Sequence, residues 1–314
     1  MRIVLEKRES RSRRVLFLVP VISFLVSLLL GAIVLAVSGA NPFMTYIYMA
    51  RGAFGSWPGF TETLVKAIPL ILTGLGVAIA FRLRFWNIGA EGQFIWGAIG
   101  TAWVMIFWTF LPVQLLLPVG LLMGMIFGAL WAGIPAVLKA RLGVDETLTT
   151  LMMNYVAILL AEYLYYGPWR DPEGYGFPGT RPFPREAWLP RIAGRAHVGI
   201  YLALAAALIL WFVLYRTKWG FEIKMIGMNK RAARVQGVNI ARNIVLVLLV
   251  SGALSGLAGA VEVAAVQHRL MKGIDMGYGF TAIIIAWMAQ LNPIAAIFVA
   301  LIMGGILVGG DQIQ

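Results

Sequence analysis

The sequence predicts an all-α integral membrane protein, a polytopic bundle of about 8–10 transmembrane helices with at least one broken helix. Three observations predict it. Of 314 residues, 60% are hydrophobic and only 13% are charged, about half the charged share of an ordinary soluble domain. Apolar runs that match the roughly 20 residues of a helical crossing recur along the whole chain, and they leave no room for a separate soluble domain. The 26 Lys and Arg residues outnumber the 14 acids, but they cluster between the apolar runs. There they orient a membrane protein in its bilayer, so nucleic acid is excluded as a partner. Cysteine is absent, which removes disulfides, thiolate metal sites and cysteine nucleophiles.

Residues 1–14 form a basic tail with Arg2, Lys7, Arg8, Arg11, Arg13 and Arg14. The uncharged run Val15–Val37 that follows exceeds the about 7–15 residues of a signal-peptide core. It reads as a retained first helix with the tail in the cytoplasm. Further spans are expected at Thr63–Phe81, Phe94–Leu111, Val113–Leu138, Leu148–Gly167, Val198–Tyr215 and Asn243–Val266. A last apolar stretch, Phe280–Gly309, is interrupted by Asn292-Pro293. Alternating these spans puts 17 Lys and Arg residues inside and 8 outside, with Lys66 within a span, and this bias supports the topology. Gly120, Gly124 and Gly128, and again Gly252, Gly256 and Gly259, put small residues where helices pack closely. Pro and Gly between Trp57 and Pro69 are expected to break a long helix. The proline-rich external loop 168–197 shows no core of its own and reads as a docking surface or a solvated connector.

Polar groups inside spans cost free energy unless they line a cavity or find partners. Asn87-Ile88-Gly89-Ala90-Glu91-Gly92-Gln93 carries two glycines that interrupt a helix. One reading is a broken helix whose free backbone groups join Asn87, Glu91 and Gln93 in holding a polar solute; the other is a simple cytoplasmic turn. Thr150 and Asn154, four residues apart, share one helix face, where they either bond neighbouring helices or meet the solute. Glu262 lies in an apolar run with no His or Lys nearby in its helix, a weak basis for a proton relay. No phosphate-binding G-x-x-x-x-G-K-[ST] loop, H-E-x-x-H motif or facing pair of intramembrane carboxylates is present, so neither an enzyme nor a metal site is expected. The polar stretch 216–242 reads RTKWGFEIKMIGMNKRAARVQGVNIAR. In it Asn229 can cap a short helix through Ala232, Ala233 and Arg234, and Gly237 can end it. Such a helix either passes force to a soluble motor or lies against anionic lipid.

Three stretches, NIGAEGQFIWGAIG (Asn87–Gly100), DETLTTLMMNYVA (Asp145–Ala157) and GMNKRAARVQGVNIAR (Gly227–Arg242), occur in that order, with Leu254–Val263 as a fourth. Together they resemble the permeases of ATP-binding-cassette importers for simple sugars, nucleosides and branched-chain amino acids, and within that group the nucleoside-type branch. The resemblance covers nearly the whole chain. It implies a single permease domain over residues 1–314 that sits in the cell membrane and pairs with a second permease subunit, a copy or a relative. Two ABC ATPase subunits would bind ATP and Mg, an external solute-binding protein would deliver solute, and no cofactor would reside in this chain. By the same resemblance Asn87, Glu91, Gln93 and Asn154 lie near the solute path, and Asn229, Ala232, Ala233, Arg234 and Gly237 belong to the loop that docks on the ATPase. Relatives continue past a VGGDQIQ-like stretch with another apolar helix, so truncation at Gln314 is expected. Nucleoside uptake by alternating access is the expected function. A simple sugar or other small solute on the same machine is the alternative, and a proton-coupled transporter a more distant one.

Overall fold

Caps written in the sequence start most of the helices. In a computed structural model, which describes residues 13–313, Asn41, Ser56, Asp145, Thr217, Asn229, Asn239 and Asn292 each accept first-turn backbone N–H groups. This satisfies donors that a helix start otherwise leaves unpaired. The basic tail up to residue 12 lies outside the described residues. The helices are α1 (Arg13–Val37), α2 (Pro42–Phe54), α3 (Trp57–Arg82), α4 (Ala90–Phe107), α5 (Val113–Val137) and α6 (Glu146–Tyr166). They continue as α7 (Gly199–Arg216), α8 (Lys218–Met228), α9 (Lys230–Val235), α10 (Ile240–Glu262), α11 (Tyr278–Met288) and α12 (Pro293–Gln312). Wider π turns prolong α5 over Leu138–Leu142 and α10 over Val263–Gln267.

Among the described residues, six helices are long and apolar enough to cross a membrane: α3, α5, α6, α7, α10 and α12. Helices α1 and α2, bent by 116°, make a seventh if they form one span. Two further elements, α4 with Glu91 and Gln93 in its first turn and the 11-residue α11, pack inside the bundle. At 1.5 Å per residue, α11 is about half a crossing, because Asn292-Pro293 divides the last apolar stretch.

Helix α3 is the axis, with α10, α11 and α12 packed around it. The expected break between Trp57 and Pro69 does not occur. Pro58 sits in the first turn, where no N–H is needed, and Pro69 is held inside a stretch buried on all sides. Helix α2, at 13 residues shorter than a full crossing, does not stand out as a span in the sequence, although Asn41-Pro42 marks its start. The glycine ladders do as expected. A methyl group at Gly128 would strike the Gly252 carbonyl, and one at Gly256 the Gly124 carbonyl, so α5 and α10 meet backbone to backbone.

The two ends of the bundle differ. The basic end carries Arg82 stacked on Tyr215 at 4.4 Å, the Lys139–Glu146 ion pair, α8 and α9. At the opposite end, segment 168–197 folds onto the turn after α10, contrary to a connector without a core. Phe183, Ala187 and Leu189 are buried there. The backbones pair from Thr180 N to Leu270 O (2.8 Å), Phe183 N to His268 O (2.8 Å) and Leu189 N to Ala264 O (3.0 Å). A small antiparallel hairpin, β1 (Arg191–Ala193) with β2 (Ala196–His197), completes this cap.

Candidate functional site

Helix α3 stops at Arg82, and the chain runs unwound over residues 83–89, with Arg84 in the left-handed region at φ +59°. Helix α4 then starts at Ala90 with Gly89 before it, a residue with no side chain to cap the first turn. The backbone donors and acceptors freed at this break must find partners elsewhere. Asn154 on α6 supplies two: its Oδ1 accepts from Gly92 N at 2.8 Å, and its Nδ2 donates to Ile88 O at 2.8 Å. Thr150, one turn earlier, accepts from Ile88 N at 3.2 Å. Asn87 and Gln93 exchange a reciprocal amide pair at 3.2 and 3.0 Å. Asn87 also donates to Ser251 Oγ on α10 at 2.9 Å, and Ser251 donates to the Gly76 carbonyl of α3 at 2.6 Å.

Glu91 points to another helix start. Its two carboxylate oxygens accept from Gly277 N at 2.9 Å and Gly279 N at 2.6 Å, so a residue of α4 caps α11. Glycine is required at 279, since a methyl group there would strike the backbone of Glu91.

Asn87, Glu91, Gln93 and Asn154 are thus brought together around one break, each no more than 1% exposed. Every one of them holds backbone or another amide. The unwound segment presents Arg84 and Trp86 at the surface; Trp86, 47% exposed, packs 5.2 Å from Phe81 and 5.9 Å from Trp287. Sequence reasoning missed Ser251, Gly277 and Gly279 as partners; a serine on an apolar helix and glycines in a loop carry no such signal. Glu262 stands apart, buried at the far end of α10, where Lys66, Glu62 and Arg195 are the charges that act on it.

At the basic end Asn229 Oδ1 accepts from Arg231 N (2.9 Å) and Ala232 N (3.1 Å) to start α9. Gly237, at φ +78°, turns the chain out of it. Ala233 faces the protein and is fully buried, while Ala232, Arg234 and Gly237 are exposed and Val235 is 85% exposed. Helix α8 presses on the break itself: Gly227 lies so close to the Arg82 carbonyl that a methyl group would collide with it. The exposed helix α9 is therefore one packed element away from the segment that Asn87 and Asn154 hold.

A family model described as the permease component of branched-chain amino acid transport systems matches residues 59–314. The chain is 36% identical over 307 residues to the glucose ABC transporter permease protein TsgB13 of Haloferax volcanii, covering 94% of this chain and 80% of that one. It is 35% identical over 296 residues to the guanosine ABC transporter permease protein NupP of Bacillus subtilis, covering 93% and 85%. With the nucleoside ABC transporter permease protein NupB of Lactococcus lactis it shares 30% over 310 residues, covering 96% and 85%. Both the matched length and the helical membrane architecture agree, and the chain belongs to the family of branched-chain amino acid transport system permease components.

Proposed function

We propose that this permease carries nucleosides inward across the cell membrane by alternating access, driven by ATP hydrolysed on partner subunits. The observation that carries the reading is its likeness, over more than nine-tenths of the chain, to the guanosine and nucleoside permeases above. In this reading two ABC ATPase subunits hold ATP and Mg, a second permease subunit completes the path, and an external solute-binding protein delivers the solute. The amino terminus and residues 216–242 face the cytoplasm, as the positive-inside bias requires.

Closure of the ATPases pushes on α9 at Asn229, Ala232, Ala233, Arg234 and Gly237. Helix α8 passes the displacement through Gly227 to Arg82, and the unwound segment behind Arg82 moves. Asn87, Glu91, Gln93 and Asn154 border the solute path by fixing that segment and the α4 start after it, which together hydrogen-bond to α6, α10 and the start of α11. Solute can drive such a change only through different affinities for the two states, and it leaves chemically unaltered.

The glucose permease relative, at 36% identity, favours a second reading in which the same machine takes a sugar. Uptake of labelled guanosine and glucose into energised vesicles of the native host, with vanadate or a protonophore added, tests both. Vanadate-sensitive guanosine uptake lost on deleting the gene is the expected result. Glucose uptake alone moves the chain to the sugar reading, and sensitivity to the protonophore alone replaces the ATP-driven machine with a proton-coupled one.

A further inference from the structure

Where α8 meets the start of α10, at the basic end, the surface is hollowed by a cavity of about 950 Å³. Lys218, Trp219, Glu222, Asn239, Arg242 and Asn243 are among the residues that line it. Continuous with it through Trp219 and Leu246 runs a second, almost wholly apolar groove of about 480 Å³, lined by Ala129, Leu249, Val250 and Ala253. The two hollows form one amphipathic trough. Along α10 its lining residues are Arg242, Leu246, Leu249, Val250 and Ala253, a single stripe at helical spacing. From Arg242 to Ala253 the stripe rises about 16 Å at 1.5 Å per residue, about half of a roughly 30 Å hydrocarbon core and so the depth of one leaflet. The trough exists because α5 and α10 approach backbone to backbone at Gly128 and Gly252, leaving a valley on their flank.

The polar end is built for an anion. Lys218 and Arg242 are exposed, and among the described residues neither forms an ion pair. Glu222, the carboxylate of the lining, is already engaged by the Asn243 amide at 3.1 Å. Trp219 sits at the junction of the polar and apolar parts with its indole N–H on Asn243 Oδ1 at 2.8 Å, an orientation suited to the headgroup level. The starts of α8 and α10, capped by Thr217 and Asn239, both lie at this end, and their positive helix-end potential adds to the two side-chain charges.

We propose that this trough binds an anionic glycerophospholipid of the cytoplasmic leaflet, its phosphate between Lys218 and Arg242 and one acyl chain along Leu246, Val250 and Ala253. A free phosphate would use the cavity and leave the groove empty; a neutral lipid would use the groove and leave the cations unmatched. Only an anionic lipid accounts for both. The bound lipid would fix α8 against α10 and so set how firmly the α8–α9 loop is held.

The test is native mass spectrometry of the full chain and of its assembled transporter, with phosphatidylglycerol, phosphatidylcholine or inorganic phosphate added. Phosphatidylglycerol should be retained at least about tenfold better than phosphatidylcholine, since each nearby cation contributes roughly 1 kcal/mol toward an anionic lipid. The double variant Lys218→Ala, Arg242→Ala should remove that preference, and Ala253→Trp, which fills the groove and leaves the cations in place, should remove retention. Equal retention of the two lipids, displacement by millimolar phosphate, or variants that bind as the wild type would each overturn the proposal. Loss of the lipid on assembly with the ATPase subunits or a second permease copy would reassign the trough to a protein interface. Solute uptake plays no part in this readout, so its failure leaves the transport reading standing.

Discussion

Asn154 illustrates how a polar residue can be visible in a sequence while its task is not. Its position in an apolar span marks it as costly, but its partners, the carbonyl of Ile88 and the N–H of Gly92, belong to a segment more than sixty residues earlier. Replacing Asn154 with Leu leaves both groups buried without a partner, at about 1–3 kcal/mol each. A marked fall in the thermal unfolding temperature of the detergent-purified chain is expected, and an unchanged temperature would show that the clamp is not formed. Glu91 allows a finer distinction. Glu91→Ala orphans two N–H groups of α11 and should abolish uptake, whereas Glu91→Gln keeps one acceptor and should retain a measurable fraction. Equal and complete loss in both would show that the carboxylate charge is needed by the solute itself. Ser251, Gly277 and Gly279 stayed invisible in the sequence because their importance lies in contacts across 164 to 188 residues.

At the scale of elements, the cap over residues 168–197 differs from what its composition suggests, whereas α9 does not. The cap's many prolines read as a docking surface or a solvated connector without a core, yet it acquires a core by pairing with residues 264–272. Two histidines are involved. His197, whose Nδ1 accepts from Gly199 N at 3.2 Å, is pushed down to about 4 by burial and, to a smaller degree, by Arg191 and His268. His268, its ring stacked on Trp188 at 3.6 Å, is likewise lowered by burial. In the unfolded chain an imidazole titrates near 6.5. Because the folded values lie below that, the stabilisation is complete above about pH 6.5 and is lost as the pH falls from there toward 4. Hydrogen exchange in residues 183–199, corrected for intrinsic rates, should therefore be faster at pH 5 than at pH 7.5. The His197→Gln variant should lose most of that difference, and pH-independent exchange would contradict the burial of the pair.

Helix α9 is legible in the sequence down to its cap, because Asn229 and Gly237 act within a few residues of themselves. Which side of it faces outward is not, since that depends on where α8 leaves it. Ala233→Asp would place a carboxylate in a fully buried position and unseat the helix. Val235→Asp, at an exposed position, should leave the fold intact while stimulation of the ATPase subunits falls by tenfold or more, by analogy with loss of a central interface contact of roughly 1.4 kcal/mol or greater. Normal stimulation by that variant would remove α9 from the docking surface.

For the whole molecule, the asymmetry of charge between the two ends is the observation with the widest consequence. The absence of cysteine makes it directly testable. A maleimide that cannot cross membranes should label Tyr175→Cys from outside intact cells and Val235→Cys only after the membrane is opened. Labelling of both from one side would overturn the topology. The bundle itself rests on small residues: α5 and α10 approach at Gly128, Gly252 and Gly256, and this contact both packs the interior and shapes the trough that we assign to lipid.

The sequence alone determined the membrane-spanning class, most span positions, the helix caps, the glycine ladders and the set of polar residues worth attention. All of these depend on composition or on neighbours within about one helical turn, and such information is local. Tertiary structure alone decided that α3 runs unbroken through Pro69, that the proline-rich segment 168–197 has a core, and that Glu91 caps a helix nearly two hundred residues away. It also decided that Gly227 of α8 meets the end of α3 beside the break. Each of these is settled by which distant backbone group a side chain satisfies or how closely two chains approach, and in an apolar interior an unsatisfied group costs too much for the answer to be left to local preference.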